Sequence, residues 1–264
     1  MRTTALTRLF LPIALTAVAC SSGGNDDWGS AKPTSTGTSK PPSTTPTTAS
    51  SSPPPQDVPI ITIKKPGGIQ IRGQWTSLQE AGGKEKVHTT ISGLSLTGKE
   101  VKLLVEKEKS AVPVEDVAFA IDELGKAGAA TIRIQDPKVR KDVAQEIVIL
   151  PVQQIKDAPP PCSVVAAVDK LNGSAVWPIK GGTAKRRDAG LGGPDLAILT
   201  ETLQKEFKGC DSTYAFFTAE GNVDWELAHN TGGTVLASDA DKKVKSLVFL
   251  DPATQIGKEV TLKK

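Results

Sequence analysis

From residue 58 onward the apolar positions fall into short runs that alternate between two periods, one helical and one extended. Val114, Val117, Ala118, Ile121 and Leu124 recur at i, i+3, i+4, i+7 and i+10, which aligns them on one helical face. Glu115, Asp116, Asp122 and Glu123 fall mostly on the other face, and Gly125 and Gly128 can end the helix. A second stripe, Leu196, Leu199, Leu203 and Phe207, runs up to Gly209. There Pro194 suits the first helical turn and the helix dipole favours Asp195 beside it. β-rich runs surround both helices, at 60–64, 69–72, 101–106, 131–135 and 147–152, then at 164–168, 175–179, 214–218, 247–250 and 260–262. Helices and strands therefore alternate loosely in both halves, which predicts an α+β fold. Its architecture is two tandem small domains, each a mixed β-sheet with helices packed on one face.

The order of the pieces repeats. VKLLVEKEKSAVPVEDVAFAIDEL in the first half and STYAFFTAEGNVDWELAH in the second each carry a β-rich run, a charged turn, a Val and an acidic helix start. TIRIQDP is echoed by SLVFLDP, and each is followed by a last apolar run, EIVIL and KEVTL. Repeats of this size suggest a duplicated supersecondary unit. The proline cluster PVQQIKDAPPP lies between the halves, so the predicted domains are 58–152 and 162–264, joined by a linker at 153–161.

Upstream the pattern changes altogether. Arg2 and Arg8 precede a short apolar run, Leu9 to Leu15, broken by Pro12, and the small residues Ala17, Val18 and Ala19 precede Cys20. This reads as a signal peptide over 1–19, since a permanent membrane helix needs about 20 apolar residues. Leu15 to Cys20 resembles a lipobox, which makes Cys20 the expected lipidated N-terminus, although Ala17 stands where such motifs favour Leu. Residues 20–57 are mostly Ser, Thr and Pro, with Trp28 as the sole aromatic. Such a segment buries too little apolar surface to order itself, and it is expected to be a disordered tether with a reach of about 35 Å. An O-glycosylated stalk would act in the same way. The expected location is the bacterial cell envelope, on its periplasmic or cell-surface side.

Composition narrows the chemistry further. Net charge is +3 before Arg2 and Arg8 leave with the signal, so no nucleic-acid footprint is visible. The two remaining cysteines, Cys162 and Cys210, are an even pair in an oxidising compartment and are expected to form a disulfide; two buried free thiols are the alternative. The bridge would close a loop of about fifty residues and stabilise by about 4 kcal/mol on the chain-entropy model. His88 and His229 belong to no metal-spaced pattern, and neither a nucleophile elbow nor a phosphate loop is present. No cofactor, metal or catalytic residue is predicted. Trp177 and Trp225 each sit in an apolar run and are expected in the core. Asp224 and Glu226, near His229, offer an acid/base cluster, against the plainer reading of a helix-end histidine after an acidic first turn. KGGTAKRRDAGLGGPD places Lys185, Arg186 and Arg187 between Gly-rich ends. It reads as a solvated loop, with anion binding by the basic triplet as the functional alternative.

The sequence ITIKKPGGIQIRG, then a strand, a polar turn, VPVEDVAFAIDELGKAG and TIRI resembles the periplasmic domain of the ExbD/TolR biopolymer-transport family. The resemblance covers 58–135 and, more faintly, 162–252. It implies a small α+β domain that makes protein contacts and, in TolR-like members, contacts the cell wall. A cleavable signal replaces the family's transmembrane helix and its proton-responsive Asp, so coupling to proton flow is not implied. The expected function is an envelope-anchored, non-catalytic binding or scaffold module. Its expected partners are the membrane, through the lipid, and envelope proteins or peptidoglycan. A hydrolase acting on a wall or carbohydrate substrate through Asp224 and Glu226 is the alternative.

Overall fold

The computed structural model describes residues 59–64, 67–106, 110–136, 145–190, 193–250 and 254–262. The expected signal peptide, Cys20 and the expected tether lie outside the described residues. In chain order the first half contributes β1 (Ile60–Lys64), β2 (Gly68–Ile71), β3 (Gln74–Ser77), α1 (Gly83–Ser92), β4 (Glu100–Glu106), α2 (Val114–Lys126), β5 (Thr131–Gln135) and β6 (Glu146–Ile149). The second contributes β7 (Val164–Val168), β8 (Ser174–Pro178), β9 (Lys185–Arg187), α3 (Leu196–Lys208), β10 (Tyr214–Ala219), α4 (Trp225–Ser238) and β11 (Ser246–Phe249). The eleven strands among the described residues join one mixed sheet in the order β3-β2-β1-β4-β5-β6-β11-β10-β7-β8-β9. The fold is α+β.

The halves repeat one topology. β1 runs antiparallel to β2, β2 antiparallel to β3, and β1 parallel to β4, which is parallel to β5. β7, β8, β9, β10 and β11 repeat those pairings in the same senses. The two halves do not form separate sheets, however. β6 pairs antiparallel with β5 on one side and parallel with β11 on the other, through Ile149 and Leu247. One strand therefore serves both halves.

That sharing explains two departures from the expected elements. The run at 260–262 is not a strand, because β6 already occupies the β11 edge on which it would pair. It crosses the reverse face of the sheet instead, where Val260 N–H donates to Ile179 O and Trp177 Nε1 donates to Lys258 O. Gly181, at φ 84°, lets this tail pass close, since a Cβ there would stand 2.6 Å from Glu259 N. The expected linker at 153–161 is likewise tied down: a 3-10 turn at Val152–Gln154 leads to Ile155, buried in the reverse-face cluster.

One core lies between the helices and the sheet, drawing on all four helices and strands of both halves. A smaller one, built on Val165, Trp177, Phe216 and Val248, lies behind the second half under the tail. β7 is accordingly buried on both faces, while β4 alternates buried and half-buried. Trp177 and Trp225 are core residues, as their apolar settings predicted. Asp116 and Glu123 are not on an open helix face; both are buried. Burial opposes ionisation of Glu123, yet hydrogen bonds from His88 and Lys126 hold its carboxyl below the usual range.

Candidate functional site

The sheet has two ends, and each leaves a strand with one unpaired side. β9 is one of them. Its three residues, Lys185, Arg186 and Arg187, are all exposed and pair only with β8, opposite Val176, Ala175 and Ser174. The basic triplet is thus an edge strand and not a loop. Strand alternation puts Lys185 and Arg187 on the helix side, where Lys185 pairs with Glu206 of α3. Lys205, and more weakly Arg187, hold the Glu201 carboxyl below its usual range. Arg186 points to the reverse side and makes no ion pair among the described residues. The helix that follows begins at Leu196, one residue past Asp195, whose carboxylate accepts from the backbone N–H groups of Ala197 and Ile198. Asp195 is the cap, and Pro194 lies outside the helix.

The other end is β3, with the uncharged sequence Gln-Trp-Thr-Ser. Trp75 is 40% exposed and lies against Gly68, under Lys64 Nζ at 5.7 Å. Neither β3 nor β9 was expected as a strand. Each is short and lacks the aliphatic alternation that marks an inner strand.

A groove of about 760 Å³ opens between the outer side of α2 and the C-terminal tail, lined by Phe119, Asp122, Gln153, Leu250 and Leu262 among others. Three of its polar groups, Asp122, Lys126 and Gln153, are paired with one another or with neighbours. Asp122 accepts from Gln153 Nε2 at 2.9 Å and faces Lys126 Nζ at 2.6 Å. Asp224 and Glu226 do not line it. Asp224 caps α4, accepting from Glu226 N–H, and stands opposite Pro113, the residue before α2.

That meeting of helix starts joins the halves. Val114 N–H donates to Val223 O and Glu115 N–H to Gly221 O, while Trp225 N–H donates to Val112 O. The second half thereby satisfies two orphan donors of α2, and the first satisfies one of α4. His229 is not at a helix end: it lies inside α4, 0% exposed, with Trp225 edge-on at 6.4 Å. Neither ring nitrogen has a well-formed hydrogen bond among the described residues, and the same holds for Trp225 Nε1. Burial pushes the His229 pKa down to about 4, the Ile134 backbone opposing the shift.

Cys162 and Cys210 form a disulfide with Cα atoms 5.7 Å apart. Beside it the Ser163 and Ser212 hydroxyls are hydrogen-bonded at 2.6 Å. Together they tie the entries of β7 and β10, neighbouring parallel strands. Among the described residues no group of His, Cys, Asp or Glu could hold a metal ion, and no helix is long and apolar enough to cross a membrane. No family model, curated protein or solved structure matches the chain.

Proposed function

We propose that the chain is an envelope-anchored binding or scaffold module that holds partners through the ends of its sheet, without catalysis. The observation that carries this reading is the pair of unpaired strand edges, β3 and β9, at the two ends of one eleven-stranded sheet. Such edges are templates for an added strand, with main-chain hydrogen bonds giving affinity and alternate side chains giving selectivity. Cys20, as a lipidated residue, would concentrate both edges near an envelope surface, and the tether would let them search it. The order of hairpin, strand, α2 and strand in the first half supports a role like that of ExbD/TolR periplasmic domains, as an accessory to biopolymer transport or as a cell-wall contact.

The test is photo-cross-linking in intact envelopes, with the reactive group placed at Trp75, at Arg186 or at Leu236, an exposed residue of α4 off both edges. Discrete adducts from the edge positions and none from Leu236 are expected. Adducts from Leu236 alone, or none at either edge, would remove the reading. Cys20→Ala should move the protein out of the membrane fraction; unchanged membrane retention would remove the anchor.

A further inference from the structure

We propose that the two edges differ in selectivity, and that β9 accepts an extended acidic polypeptide segment as an added strand. This rests on the edge-binding reading above and names the partner chemistry for one edge. A strand that pairs with β9 brings its side chains directly opposite Lys185, Arg186 and Arg187, at the separation where opposite charges attract and like charges repel. A segment carrying Glu or Asp at those positions meets a cation on each face of the sheet, Arg186 behind and Arg187 in front.

The same charges decide what the edge refuses. Basic residues on an edge strand protect against edge-to-edge association, and two β9 strands laid together would oppose three cations with three cations. Protection against self-pairing and selection of an acidic strand are therefore one property of this triplet. β3, Gln-Trp-Thr-Ser, has no charge with which to make either choice. Lys185 is already engaged by Glu206, so the selectivity falls on the two arginines. Guanidinium groups suit it, because each can hold a carboxylate through two parallel hydrogen bonds.

The test is NMR titration of the labelled full chain with an eight-residue peptide whose central Glu-Glu-Glu, flanked by Val and Thr, puts carboxylates on both faces, a counterpart with Lys in place of Glu, and dextran sulfate, which carries charge but no peptide backbone. The Glu peptide should shift the backbone amides of 185–187 and of β8 behind them. The Lys peptide should bind at least tenfold more weakly, and dextran sulfate should leave those backbone shifts unreproduced. Arg186→Glu with Arg187→Glu should weaken the Glu peptide at least tenfold, while Arg186→Lys with Arg187→Lys retains most of its binding. Unchanged amide dispersion elsewhere certifies that each variant is folded. Equal binding of the two peptides, matching shifts from dextran sulfate, or indifference to charge reversal would each overturn the proposal. Shifts confined to β3 would overturn it while leaving edge binding intact. No shift at either edge would count against both.

Discussion

His229 makes the fold sensitive to acid through its burial. Its pKa drops from 6.5 to about 4 in the folded chain, so between those values the unfolded chain binds the extra proton and the folded chain does not. Stability is then full above about pH 6.5, falls as pH drops through that window, and levels off below about pH 4, for a total of about 3 kcal/mol. Urea unfolding from pH 7 to pH 4 should show this slope in the parent chain and lose it in His229→Leu; an unchanged slope would assign the effect elsewhere. The disulfide is the second residue-scale test. Cys162→Ser with Cys210→Ser should cost about 4 kcal/mol and lower Tm by about 10 °C, with the fold retained at room temperature. The cysteine pair was legible because setting Cys20 aside with the expected leader left two cysteines, an even count that pairs readily. The setting of His229 was not: nothing local tells a histidine after an acidic turn that Trp225 and the Ile134 backbone will enclose it.

At the scale of elements, legibility followed amphipathic contrast. α2 and α3 show apolar stripes and were read directly, to within a residue or two. α1 presents only Val87 and Ile91 as buried apolar anchors, and Thr89 and Thr90 turn their hydroxyls back onto its own carbonyls, so its pattern is faint. α4 was legible at its acidic start, Asp224 and Glu226, but not in its extent to Ser238. It is enclosed almost all round, with Gly232 letting Phe217 approach so that a Cβ there would lie 3.1 Å from the ring, and no polar face remains to mark a period. The run at 260–262 looks like a strand and lies as a strap because another strand holds its place. Ending the chain at residue 252 should therefore uncover the reverse-face core without altering the sheet order. Trp177 emission should shift to the red, and stability should fall by about 3 kcal/mol for the three partly buried aliphatic side chains lost, Ile256, Val260 and Leu262. Unchanged emission would show that the strap does not cover that core.

For the whole molecule, the repeated order of runs predicted two similar units, and the strand pairings repeat faithfully. What the sequence could not show is that EIVIL would be used by both units, because that choice depends on β11 arriving beside β6 in three dimensions. The consequence is functional as well as structural. Among the described residues, a sheet closed in its middle by a shared strand has its unpaired sides only at β3 and β9, which is why the proposed contacts are placed there. Residue-resolved amide hydrogen exchange of the free protein tests this most directly. Amides of β6 and β11 should exchange as slowly as those of β4 and β10, through global unfolding, while the outward amides of β3 and β9 exchange fast. Early exchange of β6 and β11, or strong protection along β3 and β9, would contradict the account.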